Sequence, residues 1–166
     1  MSQVDSLIFP IDTLLAADQW GTRQIIDAAA GLTHEQFTRE FAIGPGSLQK
    51  TLSHMLSAML RTADVLGGQP PREPLDATKF ATPDAFVPLF DQAFAMLRDQ
   101  AKARPISDIV TREFGGKTYR FTRNGTLLQI TTHGFYHRAQ CVNMLRQLGV
   151  TPLPDPSVMK WMMGMQ

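Results

Sequence analysis

The sequence is poor in cysteine, in net charge and in long apolar segments. Its single cysteine, Cys141, excludes an intramolecular disulfide and fits a reducing compartment. Sixteen basic and fifteen acidic residues give a formal net charge of +1, which gives no support for a nucleic-acid partner. The apolar runs are far shorter than the roughly 20 residues that a membrane helix needs, and the N-terminal stretch carries an acid where a secretory signal would be basic. We therefore expect a cytoplasmic protein with neither a nucleic-acid nor a membrane partner.

The chain length and the apolar content predict one compact domain over residues 1–166. A chain of 166 residues with 43% hydrophobic residues can bury a sizeable core. Apolar residues at helical spacing predict four helices, over 11–30, over 47–66, from residue 83, and over 124–148. Gly115 and Gly116, between two β-prone segments, predict a small hairpin before the last helix. The expected fold is all-α, an up-down four-helix bundle with one long connection and this hairpin.

Helix boundaries follow from local residue types. Ser47 is the expected N-cap of the second helix. Thr82 is the expected N-cap of the third, with Pro83 at its first position and Pro88 distorting its first turn. Asn124 is the candidate cap of the fourth helix.

Three of the four histidines fall inside predicted helices. His133 and His137 are four residues apart in the last helix, so they differ by only about 40° around its axis. A divalent metal would satisfy both rings at once, and His54 in the second helix is the candidate third ligand. A hydrogen-bonded core or surface pair explains the spacing equally well, and His54 also fits a polar edge position. His34 is interpreted as a solvated turn residue.

Two metalloprotein classes are excluded by what surrounds these histidines. The segment His133-Gly134-Phe135-Tyr136-His137 lacks the glutamate with which zincins activate water. It also lacks the Glu-x-x-His ligands of di-iron bundles. The pair therefore needs another interpretation.

The segment from His133 to Gln140 resembles the H-x-x-x-H-R-x-Q signature of the DinB-like family, of the DinB/YfiT type. Earlier in the chain, the segment from Ser47 to Met55 resembles the family's second-helix motif, whose histidine is the first ligand. Asp18-Gln19-Trp20 resembles its first-helix motif. The resemblance runs through most of the chain in order, with the third helix matched by pattern only.

This resemblance implies a metal site formed by His54, His133 and His137. It implies a divalent ion, with nickel, zinc, iron and manganese all compatible with imidazole ligands. Family relatives include low-molecular-weight thiol S-transferases and a thiol-dependent isomerase. The leading hypothesis is therefore a metal-dependent enzyme that activates a small thiol cofactor or a water to act on a small-molecule substrate. The alternative is a non-catalytic metal-binding or stress-response bundle in which the metal is structural.

Supporting roles for neighbouring residues stay open at this stage. Asp18 either orients a ligand histidine or lies on the helix surface. Arg138 is expected to form a salt bridge, and Gln140 to hold the helices together or to meet substrate. Tyr136 is either a proton donor or a packing residue. For Cys141, a small core residue is favoured over a catalytic or ligand thiol.

The apolar cluster Trp161-Met162-Met163 near the C-terminus suggests an interface. Exposed apolar clusters of this kind are a liability in a monomer. We therefore expect a homodimer.

Overall fold

The computed structural model of the chain describes residues 10–164, which fold mainly into helices with one small antiparallel hairpin. The elements of this range follow in the order α1 (Pro10–Ala29), α2 (His34–Thr38), α3 (Leu48–Leu66), α4 (Val87–Ala103), β1 (Ile109–Phe114), β2 (Lys117–Thr122), α5 (Arg123–Gln147) and α6 (Val158–Met163). Two short 3₁₀ turns, Ala77–Lys79 and Pro83–Phe86, precede α4.

The four long helices pack around one apolar core. Helix α1 contacts α4 and α5, and α3 contacts the same two helices from the other side. The consecutive helices α1 and α3 therefore lie across the core from each other, joined by the long segment 30–47. The most deeply buried core side chains include Leu15, Ile25, Leu52, Leu56, Phe94, Leu97, Leu127 and Met144.

Helices α3 and α5, which carry three of the four histidines, begin at hydroxyl caps. The Ser47 side chain accepts a hydrogen bond from the Lys50 amide at 3.1 Å, which confirms the predicted cap. Helix α5 begins one residue earlier than predicted. Thr122, the extended last residue of β2, accepts from the Gly125 amide at 3.0 Å, so Asn124 is not the cap.

The third predicted helix begins differently from the expectation. Pro83–Phe86 forms a 3₁₀ turn, and regular α-helix starts only at Val87. The Thr82 side chain makes no capping hydrogen bond. Pro88 lies in the first turn of α4, where its missing N–H removes no helical bond.

The predicted hairpin is present and packs against both histidine-bearing helices. Gly115 and Gly116 both have positive φ, at 55° and 73°, which a tight two-residue hairpin turn requires. Strand β1 contacts α3 and strand β2 contacts α5. The short helix α2 was not predicted, although Thr33 and Gln36 form a complete capping box at its start.

A buried arginine fixes the relative positions of these elements. Arg123, at the start of α5, is 1% exposed and donates to the carbonyls of Leu66 and Gln100, each at 2.5 Å. It thereby satisfies free carbonyls at the ends of α3 and α4.

Across residues 10–164, none of the helices combines the length and the apolar character needed to cross a membrane.

Candidate metal centre

Three histidine rings from two helices converge on one point. His54 comes from α3, and His133 and His137 come from successive turns of α5. The Nε2 atom of His133 lies 3.0 Å from Nε2 of His54 and 3.2 Å from Nε2 of His137. His137 is buried, His133 is half-buried and His54 is exposed, so the cluster opens to solvent on the α3 side.

These separations suit nitrogen ligands of one ion. Two nitrogens bound at about 2.1 Å lie about 3.4 Å apart at a tetrahedral angle and about 3.0 Å apart at a right angle. The observed 3.0 and 3.2 Å fall within or close to that interval. The three histidines could therefore bind a metal ion.

Hydrogen bonding within the cluster accounts for the geometry less well. A ring nitrogen of neutral imidazole carries either one hydrogen or one lone pair. The Nε2 atom of His133 can therefore form one well-directed hydrogen bond in the plane of its ring, yet it has two Nε2 neighbours, those of His54 and His137. The Nδ1 atom of His133 is buried and has no hydrogen-bond partner among residues 10–164. A shared ion would use the lone pairs of all three Nε2 atoms together.

The surroundings of His133 and His54 favour the neutral form of these two rings, which is the form that binds metals. The pKa of His133 is lowered to about 4, mainly by burial and in addition by the neighbouring His137 and His54. The pKa of His54 is also lowered, first by burial and then by His137. Because proton binding competes with metal binding, lowered pKa values favour the metal-binding form at neutral pH.

Gln140 orients the most buried histidine. Its Oε1 lies 2.8 Å from Nδ1 of His137, so that Nδ1 donates and the Nε2 lone pair faces the cluster. The loop before α3 passes close to Gln140. Gly44 has φ of 53°, and a Cβ atom there would overlap Oε1 of Gln140. The loop can approach Gln140 this closely only because residue 44 has no side chain.

Asp18 has neither of the roles that the sequence suggested. Within residues 10–164 its carboxylate makes no hydrogen bond to a histidine, and it is not on the surface, since it is 5% exposed and forms a buried ion pair with Arg138. The predicted Arg138 salt bridge is confirmed. A Cβ atom on Gly134 would lie 2.7 Å from Asp18 Oδ1, so this glycine lets the carboxylate approach α5. Burial raises the pKa of Asp18 to about 6, against the opposing effect of Arg138.

The remaining candidates lie outside the histidine cluster. Cys141 is fully buried and its pKa is raised to about 12 by burial, as expected for a core residue. Tyr136 is 63% exposed, with its ring centre 5.2 Å from that of His137. His34 begins α2, where its Nδ1 lies 3.0 Å from the carbonyl of Ala81. Trp161 is buried against the fold, whereas Met162 is exposed.

Two of these positioning features were missed in the sequence. The spacing of His137 and Gln140, three residues apart on one helix, was the available signal for their contact. The glycine between the two α5 histidines was the available signal for close approach by another helix. The sequence alone does not show that Gln140 bonds to His137 or that Asp18 is the residue that approaches Gly134.

Comparison with known proteins agrees with this architecture. A DinB-like protein from Bacillus cereus ATCC 10987, whose crystal structure is known at 2.01 Å resolution, superposes with a TM-score of 0.64. The two proteins share 18% sequence identity, and the alignment covers 86% of this chain and 94% of the other. This likeness shows the shared fold. A search of curated proteins found no match.

A comparison with protein families gives the more extensive sequence match. The DinB family matches residues 1–162, which is nearly the whole chain. The histidine cluster, the hairpin and the helical packing all lie within the matched range. The chain therefore belongs to the DinB family.

Proposed function

We propose that this protein is a metal-dependent enzyme in which His54, His133 and His137 hold a divalent ion that activates a small thiol or a water. One observation carries the proposal, namely the convergence of three imidazole Nε2 atoms, with separations of 3.0 and 3.2 Å from His133 to its two neighbours. Among the described residues, the group of candidate ligands contains these three histidines and no carboxylate or thiol. Structural zinc sites usually have four protein ligands, whereas catalytic sites have three.

The three histidines and Gln140 have different roles in the proposed site. The three Nε2 atoms hold the ion without adding negative charge, and Gln140 keeps the His137 ring in the required orientation. When bound, a divalent ion in such a site supplies a Lewis acid that lowers the pKa of a thiol or water. The exposed His54 leaves one side of the cluster accessible to a small molecule. These properties favour an S-transferase, isomerase or hydrolase.

The proposal also covers the identity of the metal, the helix topology, the localisation and the oligomeric state. Nickel, zinc, iron and manganese all accept imidazole ligands, so the donor set is compatible with each. We propose a single-domain, cytoplasmic homodimer whose four long helices form an up-down bundle of the DinB type. The ring of contacts among the long helices supports the bundle. The exposed Met162 and Met163 support the dimer.

Cobalt substitution tests whether the ion is open to small molecules. Protein loaded with Co²⁺ is titrated with 2-mercaptoethanol while its visible and near-ultraviolet spectra are recorded. We expect a thiolate-to-cobalt charge-transfer band to appear in the wild type and in Cys141→Ala, because the added thiol is its source. We expect no band in His133→Ala.

The competing function predicts a different spectrum. In a non-catalytic, stress-response bundle with a structural metal, the cobalt spectrum would be insensitive to added thiol and to pH. That outcome would overturn the enzymatic proposal. A protein that binds no cobalt would overturn both functions.

A further inference from the structure

A cavity of about 540 Å³ lies next to the hairpin, between β1, the second half of α3 and the loop that follows α3. Its wall includes three arginines, Arg61, Arg104 and Arg112, and one carboxylate residue, Glu113. Arg104 already pairs with Asp108. The other two arginines are the unusual feature of this wall.

Arg61 and Arg112 line the same cavity and form no ion pair within residues 10–164. Among the residues that the structure describes, Arg61 donates a hydrogen bond only to the carbonyl of Arg72, and the Arg112 guanidinium lies 4.9 Å from the centre of the Phe114 ring. Partial burial lowers the pKa of Arg112, and the positive charge of Arg61 lowers it further. Two neighbouring, partly desolvated cations are stabilised when an anion binds between them.

These arginines lie along the same side of the fold as the histidine cluster. Arg61 follows His54 by seven residues in α3, which places it within about 20° of the same helix face and about 10.5 Å along the axis. Arg112 also lines a second cavity of about 220 Å³ together with Gln129. Gln129 precedes His133 by four residues, or about one turn of α5. The histidines and arginines thus share the α3–α5 face.

We propose that Arg61 and Arg112 form a carboxylate-binding subsite for the substrate or thiol that reacts at the histidine cluster. The guanidinium groups hold the carboxylate through charge-assisted hydrogen bonds, and the remainder of the molecule extends along α3 towards His54. The ligand class is therefore a small molecule with its carboxylate about 10 Å from the reacting group. This inference rests on the proposed function and adds the substrate class to it.

Matched thiols test the subsite in the cobalt-loaded protein. Mercaptooctanoate carries a carboxylate at the far end of an extended chain, mercaptooctanol carries a hydroxyl there, and mercaptopropionate is too short to span the distance. We expect wild type to bind mercaptooctanoate about tenfold or more tightly than mercaptooctanol, from the charge-assisted contacts. We expect mercaptopropionate to gain no such advantage.

Single substitutions assign the preference to the two arginines. In Arg61→Gln and in Arg112→Gln the preference for mercaptooctanoate should fall to about twofold or less, with cobalt affinity unchanged. Arg120→Gln, on the same hairpin but outside both cavities, should keep the full preference. Thermal unfolding of each variant establishes that it is folded, and the two arginine variants test the subsite independently. No preference in the wild type, or a preference that survives both substitutions, would overturn the inference.

Failure of the metal site is distinguishable from failure of the subsite. Octanoate, which has no thiol, is titrated into metal-free protein while the arginine side-chain N–H signals are followed by NMR. Octanoate binding that is lost in Arg112→Gln, in a protein that binds no cobalt, would support the carboxylate subsite and overturn the metal-dependent function. Cobalt binding with no response to octanoate and no preference for mercaptooctanoate would overturn the subsite alone.

Discussion

Two adjacent residues of α5, His137 and Arg138, belong to different polar clusters on different faces of the helix. His137 faces α3 and belongs to the three-histidine cluster, which opens to solvent at His54 and forms no ion pair with the other described residues. Arg138 faces α1 and pairs with Asp18, with both side chains at most 5% exposed. The histidine cluster presents nitrogen lone pairs that can bind an ion, whereas the Asp18–Arg138 pair is buried and balanced in charge.

The difference separates a site from a structural contact. In a buried ion pair each charge is neutralised by its partner, and breaking the pair costs stability. Converging imidazoles with access to solvent contribute less to packing, and their nitrogen atoms remain available to bind an ion. Substitutions on the α1 side should therefore change stability, whereas those on the α3 side should change metal binding.

The largest effect on stability is expected for Asp18→Leu. It leaves Arg138 buried and charged, because a guanidinium does not lose its proton, at a cost of about 3–5 kcal/mol in the free energy of unfolding. Arg138→Met should cost less, since Asp18 with its pKa already raised to about 6 can take up a proton. Urea denaturation measures both.

Asp27→Leu is the matched control on the same helix. Asp27 pairs with Arg23 on the surface, where both side chains are about half exposed, so its loss should cost at most about 1 kcal/mol. Metal affinity should be unchanged in all three variants. Equal costs for Asp18→Leu and Asp27→Leu would contradict a structural role for the buried pair.

Gln140→Leu should weaken metal binding more than it weakens the fold. The substitution removes the acceptor for Nδ1 of His137, and loss of such a partner typically lowers metal affinity about 10–100-fold. Competition with a chromophoric chelator measures the affinity. Gln140→Glu keeps an acceptor at this position and should retain most of it. Unchanged affinity in Gln140→Leu would show that His137 needs no orienting partner.

Gly134→Ala tests whether the buried Asp18–Arg138 pair depends on the close approach of Asp18 to α5. The added Cβ would lie 2.7 Å from Asp18 Oδ1 and would separate the ion pair, at a cost of about 1–3 kcal/mol. This exceeds the gain of about 1 kcal/mol from replacing glycine by alanine in a helix. Gly31→Ala, with no atom within 4 Å of the new Cβ, is the control and should not destabilise the protein. A more stable Gly134→Ala protein would contradict the close approach.

The metal-free histidine cluster should make the protein less stable in acid. The pKa of His133 is lowered from 6.5 to about 4 in the folded protein, so the unfolded chain takes up a proton first as the pH falls. The contribution of His133 to stability is therefore present above about pH 6.5 and is lost as the pH falls towards 4. His133→Gln should show a smaller decline in denaturation experiments between pH 7.5 and 4.5. An equal loss of stability in the wild type and in His133→Gln would show that groups other than His133 cause the acid sensitivity.

The sequence predicts the long elements well because each has a strong local signal. The apolar spacing and the Ser47 cap define α3, and the two glycines define the hairpin turn. The start of the third helix was less predictable, since a proline is compatible with either a 3₁₀ or an α-helical first turn. The cap of α5 depends on where β2 ends, which is a tertiary property.

The site was predictable in part. The i, i+4 spacing places His133 and His137 on one face, but only the packing of α3 on α5 brings His54 to within 3.0 Å of His133. Asp18 and Arg138 are 120 residues apart, and their pairing depends on how α1 packs against α5. No local pattern in the sequence carries that information.

The most direct test of the account is metal analysis of protein purified without an affinity tag, with His133→Ala and His34→Ala measured beside it. We expect about one equivalent of a divalent metal per chain in the wild type and in His34→Ala, and a large loss in His133→Ala. Absence of metal after reconstitution with nickel, zinc, iron and manganese would contradict the account. So would equal metal contents in the wild type and His133→Ala.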